Sequence, residues 1–175
     1  MHTEKMERWF GETTDGGRRA SALAYSFETP LSGQAAIAIG LDIVRVAEVT
    51  AVLSRFGERY VRRVYTPHEA AYCDAGNGAV RASRFAARFA AKEATVKALA
   101  PTGRWTDWRT IEVQRQPSGA CSLALYGEAA ELALQRGIWH LALTMSHEGD
   151  LAVACVVALG APPATNTHPV GFRHV

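Results

Sequence analysis

Alternation opens the patterned part of the chain. In AIAIGLDIV, Ile37, Ile39, Leu41 and Ile43 fall on one side of an extended segment, and Ala36, Ala38, Gly40 and Asp42 on the other. The reading is a strand with an acid on its open, uncrowded face. The next segment, VAEVTAVLSRF, changes period: Val46, Val49, Leu53 and Phe56 recur at threes and fours, which predicts an amphipathic helix. TPHE carries a start signal, with Thr66 as N-cap, Pro67 in the first helical position and Glu69 as the reciprocal capping acid. That helix is expected to end before CDAGNG.

The stretch RFAARFAAKEATVKAL, residues 84–99, reads as a helix on which Phe85, Phe89 and Val96 turn to the core. RTIEVQRQ and CSLALY flank PSGA as a hairpin. GEAAELALQRG predicts a short helix ending at Gly137. IWHLALTMS and LAVACVVAL are two apolar strands joined through HEGD, with large residues on both faces. The order β-α-α-α-β-β-α-β-β predicts an α+β domain, mainly an antiparallel sheet with helices on one side. Residues 1–35 and 161–175 lack sustained periodicity and are expected to be poorly ordered ends around one domain at 36–160.

Composition narrows the function classes. A net charge of +2 is too weak to support wholesale binding to nucleic acid or membrane, and the arginine cluster has no aromatic platform beside it. No apolar run is long enough to span a bilayer, and the N-terminus lacks a secretory pattern, so a cytoplasmic location is expected. Three widely spaced cysteines, Cys73, Cys121 and Cys155, fit neither a disulfide framework nor a zinc site and are expected to be buried thiols.

Chemistry concentrates on the 84–99 helix. Glu93 and Lys97 are four residues apart and share one side of it, an arrangement equally open to an ordinary surface ion pair. Asp42 changes the picture. Two carboxylates brought together repel unless they are protonated or bridged, and a hard cation such as Mg²⁺ takes one or two carboxylates plus water and phosphate oxygens. Asp42 and Glu93, with Lys92 and Lys97 nearby, therefore suggest a site for a metal–pyrophosphate substrate.

The ordered motifs GLDIV, RFGERYVRRVYTPHEAAYC, RFAARFAAKEATVKA and LTMSHEGDLAVACVV resemble those of the holo-[acyl-carrier-protein] synthases, the short trimeric class of the 4'-phosphopantetheinyl transferase superfamily. The resemblance runs from about Ile37 to Leu159. It implies transfer of the 4'-phosphopantetheine arm of coenzyme A to a serine of an apo acyl carrier protein, with release of adenosine 3',5'-bisphosphate. It implies Asp42 and Glu93 as Mg²⁺ ligands, and Lys97 beside the pyrophosphate as a catalytic cation. Arg88 and Lys92 would contact phosphates, Thr102 and Gly103 would help hold the coenzyme, and His147 would lie near it. A homotrimer with coenzyme A at each subunit junction is the implied assembly.

Two departures from the family pattern stand out. Arg45 occupies the place of a common acid and Glu48 that of a common arginine, in a segment that docks the carrier; Arg55, Arg59, Arg62 and Arg63 remain to present a basic face. KALAPTG replaces a glycine-rich loop, so Ala100 and Pro101 stand where backbone N–H groups would otherwise approach phosphate. These changes suggest a dedicated carrier of a polyketide or fatty-acid pathway. The alternative is a repurposed paralogue that binds coenzyme A or a carrier without transferring the arm.

Overall fold

The computed structural model describes residues 35–103 and 105–161. The expected poorly ordered segments 1–35 and 161–175 lie, but for Ala35 and Ala161, outside the described residues. Strand β1 (Ala36–Arg45) leads into helices α1 (Val46–Phe56), α2 (Glu58–Val64), α3 (Pro67–Asp74) and α4 (Gly78–Leu99). A single 3₁₀ turn, Trp108–Thr110, precedes the hairpin β2 (Ile111–Arg115) and β3 (Cys121–Leu125). Helix α5 (Gly127–Gln135) and strands β4 (Ile138–Glu148) and β5 (Leu151–Gly160) complete the domain. The architecture is α+β, and the antiparallel strands form two sheets, β1-β5-β4 and β2-β3.

The helical part holds one element more than the periodicity predicts. Gly57 takes a left-handed φ of 50° and ends α1, so the arginine-rich run ERYVRRV forms a separate helix, α2. Thr66 caps α3 as expected: its hydroxyl accepts from the Glu69 amide, and Glu69 accepts from the Thr66 amide. Helix α1 has no cap from its own N-cap residue, Arg45. Asp150, in the turn between β4 and β5, supplies one instead, its carboxylate accepting from Ala47 N at 2.8 Å and its carbonyl from Val46 N.

Helix α4 starts six residues before the predicted stretch and is buried almost all round. Its alanines allow close packing on the sheet. Phe85 meets Tyr65 at 4.7 Å between ring centroids, and Phe89 meets Trp108 at 5.7 Å. Val96 is only half-buried, and of the three thiols Cys73 alone is fully buried.

The face of β1 expected to be open is the one that α4 covers. Gly40, Asp42 and Val44 are buried, whereas Ile39, Leu41 and Ile43 are 46%, 52% and 49% exposed. The physical reason is close approach: a Cβ on Gly40 would collide with the Ala94 carbonyl oxygen and lie 2.8 Å from Ala98 N. Small residues are needed where a helix backbone touches the strand, so the large ones face the other way. Cross-strand register extends that apolar row: Ile39 pairs with Val157, Leu41 with Cys155 and Ile43 with Val153. Ala142, Thr144 and Ser146 of β4 continue the same face.

Candidate active site

Helix α4 positions most of the candidate side chains. Lys97 reaches back to β1, donating to the Asp42 carboxylate at 2.9 Å and to the Leu41 carbonyl at 2.6 Å. Asp42 is 4% exposed and Lys97 about a third exposed, so the pair lies at the rim of the α4–β1 packing. Glu93 is 4% exposed, one turn before Lys97 on the same side of the helix. The carboxylates are thus buried where an open strand face had been expected. Asp42 and Lys97 come together beside the contact between Gly40 and the Ala94–Ala98 backbone.

Lys92 lies elsewhere. Its ammonium is fully enclosed, 2.8 Å from a fully buried Glu69 carboxylate, and donates to the carbonyls of Trp108 and Ile111. Burial pushes its pKa below the ordinary lysine value, with Glu69 opposing the shift. Glu69 completes its own set by accepting from Val113 N. Nothing in Lys92's immediate surroundings opens to the cavity where a phosphate would enter.

That cavity, about 650 Å³, lies between α3, α4, β3 and β4. Arg84, Arg88 and Arg115 converge on it around Tyr72, their guanidinium carbons 4.6, 4.2 and 5.7 Å from the ring centroid. Arg84 is anchored on the Tyr72 carbonyl and Arg88 on the Arg84 carbonyl. Arg88 is 2% exposed, and its Nε has no hydrogen-bond partner among the described residues. A buried cation with an unused donor beside a cavity suits an anionic ligand. Ser146 and His147 line the opposite wall. Thr102 and Gly103 lie beyond the C-terminus of α4 and are not among the cavity's lining residues. Sequence reasoning missed Arg84 and Arg115; Arg84's place one turn before Arg88 was the available signal, whereas Arg115 is brought in only by the β2–β3 hairpin.

Ala100 ends α4 in the left-handed region, with φ 44°, the one non-glycine residue with positive φ among those described. The helix therefore uses the backbone turn that a glycine would adopt without strain. Arg136, just past α5, donates to the Ala100 carbonyl and ties this turn to the rest of the domain.

One helix carries Arg84 and Arg88 at the cavity and, further along, Glu93 and the Lys97 that pairs with Asp42. This defines an α+β protein built for a polyanionic, phosphorylated ligand. The chain belongs to the 4'-phosphopantetheinyl transferase superfamily, whose ACPS family profile matches residues 38–156. It is 48% identical over 132 residues to the holo-[acyl-carrier-protein] synthase of Anaeromyxobacter dehalogenans (strain 2CP-C), covering 73% of this chain and 98% of that one. The holo-[acyl-carrier-protein] synthase of Koribacter versatilis (strain Ellin345) is 42% identical over 119 residues, 67% of this chain and 94% of that protein. Among solved structures, the ACPS–CoA complex of Chronobacterium ammoniagenes superposes with a TM-score of 0.64 at 32% identity, over 73% of this chain and 98% of that chain.

Proposed function

We propose that this protein transfers the 4'-phosphopantetheine arm of coenzyme A to a serine hydroxyl of an apo acyl carrier protein. The serine oxygen forms a bond to the β-phosphorus as its hydroxyl proton passes to water, the pyrophosphate P–O bond breaks, and adenosine 3',5'-bisphosphate leaves. The observation that carries this reading is the single helix that brings two arginines to the cavity and Lys97 to Asp42, with Glu93 one turn before Lys97 on the same side. Relatives named for this activity and solved in complex with coenzyme A support it.

In this reading Arg84, Arg88 and Arg115 hold the phosphates of the nucleotide half, and Tyr72 keeps the guanidiniums in place. Lys97 faces charge that develops as the P–O bond breaks, already oriented by Asp42 and Leu41 O, so little reorganisation is required. His147 and Ser146 offer polar contacts from β4. Asp42 and Glu93 are the groups that would hold a divalent cation. Carboxylate oxygens are hard donors, which fit Mg²⁺ better than a softer metal. A bound Mg²⁺ would offset negative charge on the transferred phosphoryl group.

The apolar face Ile39, Leu41, Ile43, Leu151, Val153 and Val157 is left partly open among the described residues. A contiguous row of half-exposed isoleucine, leucine and valine side chains is the kind of surface that a second copy would cover, and it supports the homotrimer. The exposed Arg55, Arg59, Arg62 and Arg63 on α1 and α2 would receive an acidic carrier. The cytoplasm is the compartment this reading assigns; no described helix is long and apolar enough to cross a membrane.

Asp42→Asn and Glu93→Gln should each lower Mg²⁺-dependent transfer by roughly 10²-fold or more while conserving shape. Near-normal turnover in either would remove that residue from the site. Sedimentation equilibrium should return three times the chain mass, and an active strict monomer would overturn the trimer.

A further inference from the structure

Lys92 and Glu69 pose a problem that the reaction does not explain. Both are fully buried and charged, and neither reaches the cavity or the Asp42–Lys97 pair. A buried ion pair is weak evidence for stability, because well-packed apolar residues often do as well. It is, however, directional, and here every arm is engaged. The Glu69 carboxylate takes Thr66 N, Val113 N and the Lys92 ammonium. Lys92 takes Glu69, Trp108 O and Ile111 O. The node therefore joins the first turn of α3, the edge of β2 and the middle of α4.

Its place on α4 gives it leverage. Arg88 lies one turn before Lys92 on the same side of the helix, while Glu93 is the next residue, about 100° around the axis. A fixed Lys92 therefore fixes the rotation of α4. The alanines do little of this, because Ala86, Ala87, Ala90, Ala91 and Ala94 carry no side chain long enough to interlock with a neighbour, so a directional polar contact adds to the hold that Phe85, Phe89 and the Gly40 contact give. We propose that Glu69 and Lys92 are positioning residues: a polar lock that sets the rotation of α4, and so aims Glu93 at the reaction centre and Arg88 into the cavity. This inference rests on the transfer activity proposed above. It assigns Lys92 to the framework and not to the phosphates.

The test uses the full chain as wild type, Lys92→Met, and the double variant Glu69→Gln/Lys92→Met, which removes both charges at nearly constant volume. Coenzyme A affinity is measured by calorimetry, transfer kinetics with an apo carrier, and folding by thermal melting. A wild type that transfers nothing overturns the proposed function, and the lock with it. With an active wild type, the lock predicts that the double variant melts within a few degrees of it, loses at least about 30-fold in kcat, and weakens coenzyme A binding by less than about tenfold, because Arg84 and Arg88 turn with α4 while Arg115, on β2, stays in place. A phosphate-contact role predicts the reverse split, with affinity falling more than tenfold and kcat largely kept, and would refute the lock. A folded double variant within threefold of wild-type kcat would also refute it. If neither variant folds, the pair is required for the fold and not for aim, and the proposal fails.

Discussion

Gly40→Ala tests the contact on which the site depends. An added Cβ would lie 2.8 Å from Ala98 N and 2.9 Å from the Ala94 carbonyl carbon, with the Ala94 oxygen closer still. Ordinary contact begins near 3.4 Å, so even the Ala98 contact falls short by more than half an ångström. All three obstacles are backbone atoms of α4, and no side-chain rotation relieves them. Strand β1 and α4 must separate by roughly 1 Å, which puts the substitution toward the upper end of the ~1–3 kcal/mol typical of overpacking. The same separation stretches the 2.9 Å Asp42–Lys97 pair. A 1 Å misplacement at a reaction centre costs about 10²-fold in rate. Urea denaturation of Gly40→Ala should show the stability loss, and transfer kinetics on the folded variant should show the larger proportional loss in kcat. Gly103→Ala is the stability control, since nothing lies within 4 Å of its added Cβ. If Gly40→Ala kept wild-type stability and turnover, close packing of α4 on β1 would not be what assembles the site.

Three further outcomes are expected. Ala100→Gly should raise stability by about 1 kcal/mol, because glycine adopts the left-handed φ of 44° without the Cβ penalty; a melting temperature that fails to rise would show the turn to be unstrained. Asp150→Ala should cost about 1 kcal/mol through loss of the remote cap on α1, while Asp150→Asn keeps most of it; equal melting of the two would dismiss the cap. Burial pushes the Cys73 thiol from 9.0 up to about 12, so the folded state keeps a proton that the unfolded chain loses; stability is full below pH 9 and falls through about pH 12, by up to ~1.4 kcal/mol per unit. Tyr60 and Tyr65, also raised by burial, add to the loss above pH 10. Cys73→Ala should flatten the melting curve between pH 9 and 10, and an unchanged slope there would dismiss Cys73 as its source.

Local signals were legible in the sequence where the chemistry is local. The Thr66–Glu69 capping box, the β2–β3 hairpin and the helix ending near Gly137 depend on a few adjacent residues, and the fold follows them. The sides on which Asp42, Glu93 and Lys97 lie were legible for the same reason, from a period-two strand and a four-residue helical spacing, and the fold pairs Lys97 with Asp42. Which side is covered was not legible. The rule that large apolar residues face inward fails for β1, because an alanine-rich helix seats itself against glycine and alanine, leaving Ile39, Leu41 and Ile43 outward. Lys92 was ambiguous in sequence, since a lysine beside a candidate ligand looks like a phosphate contact until Glu69, 23 positions earlier, is seen against it. Arg115 joins the cavity only through tertiary folding, and the Asp150 cap crosses 103 positions.

The central claim is that this chain moves the phosphopantetheine arm. Intact-mass spectrometry of a panel of apo acyl carrier proteins, incubated with the protein, coenzyme A and Mg²⁺, tests it most directly. The account predicts that at least one carrier gains the mass of a single 4'-phosphopantetheine group at its serine, with adenosine 3',5'-bisphosphate released in equal amount, and that Lys97→Ala slows this sharply. Coenzyme A bound tightly, with every carrier in the panel left unmodified, would contradict it.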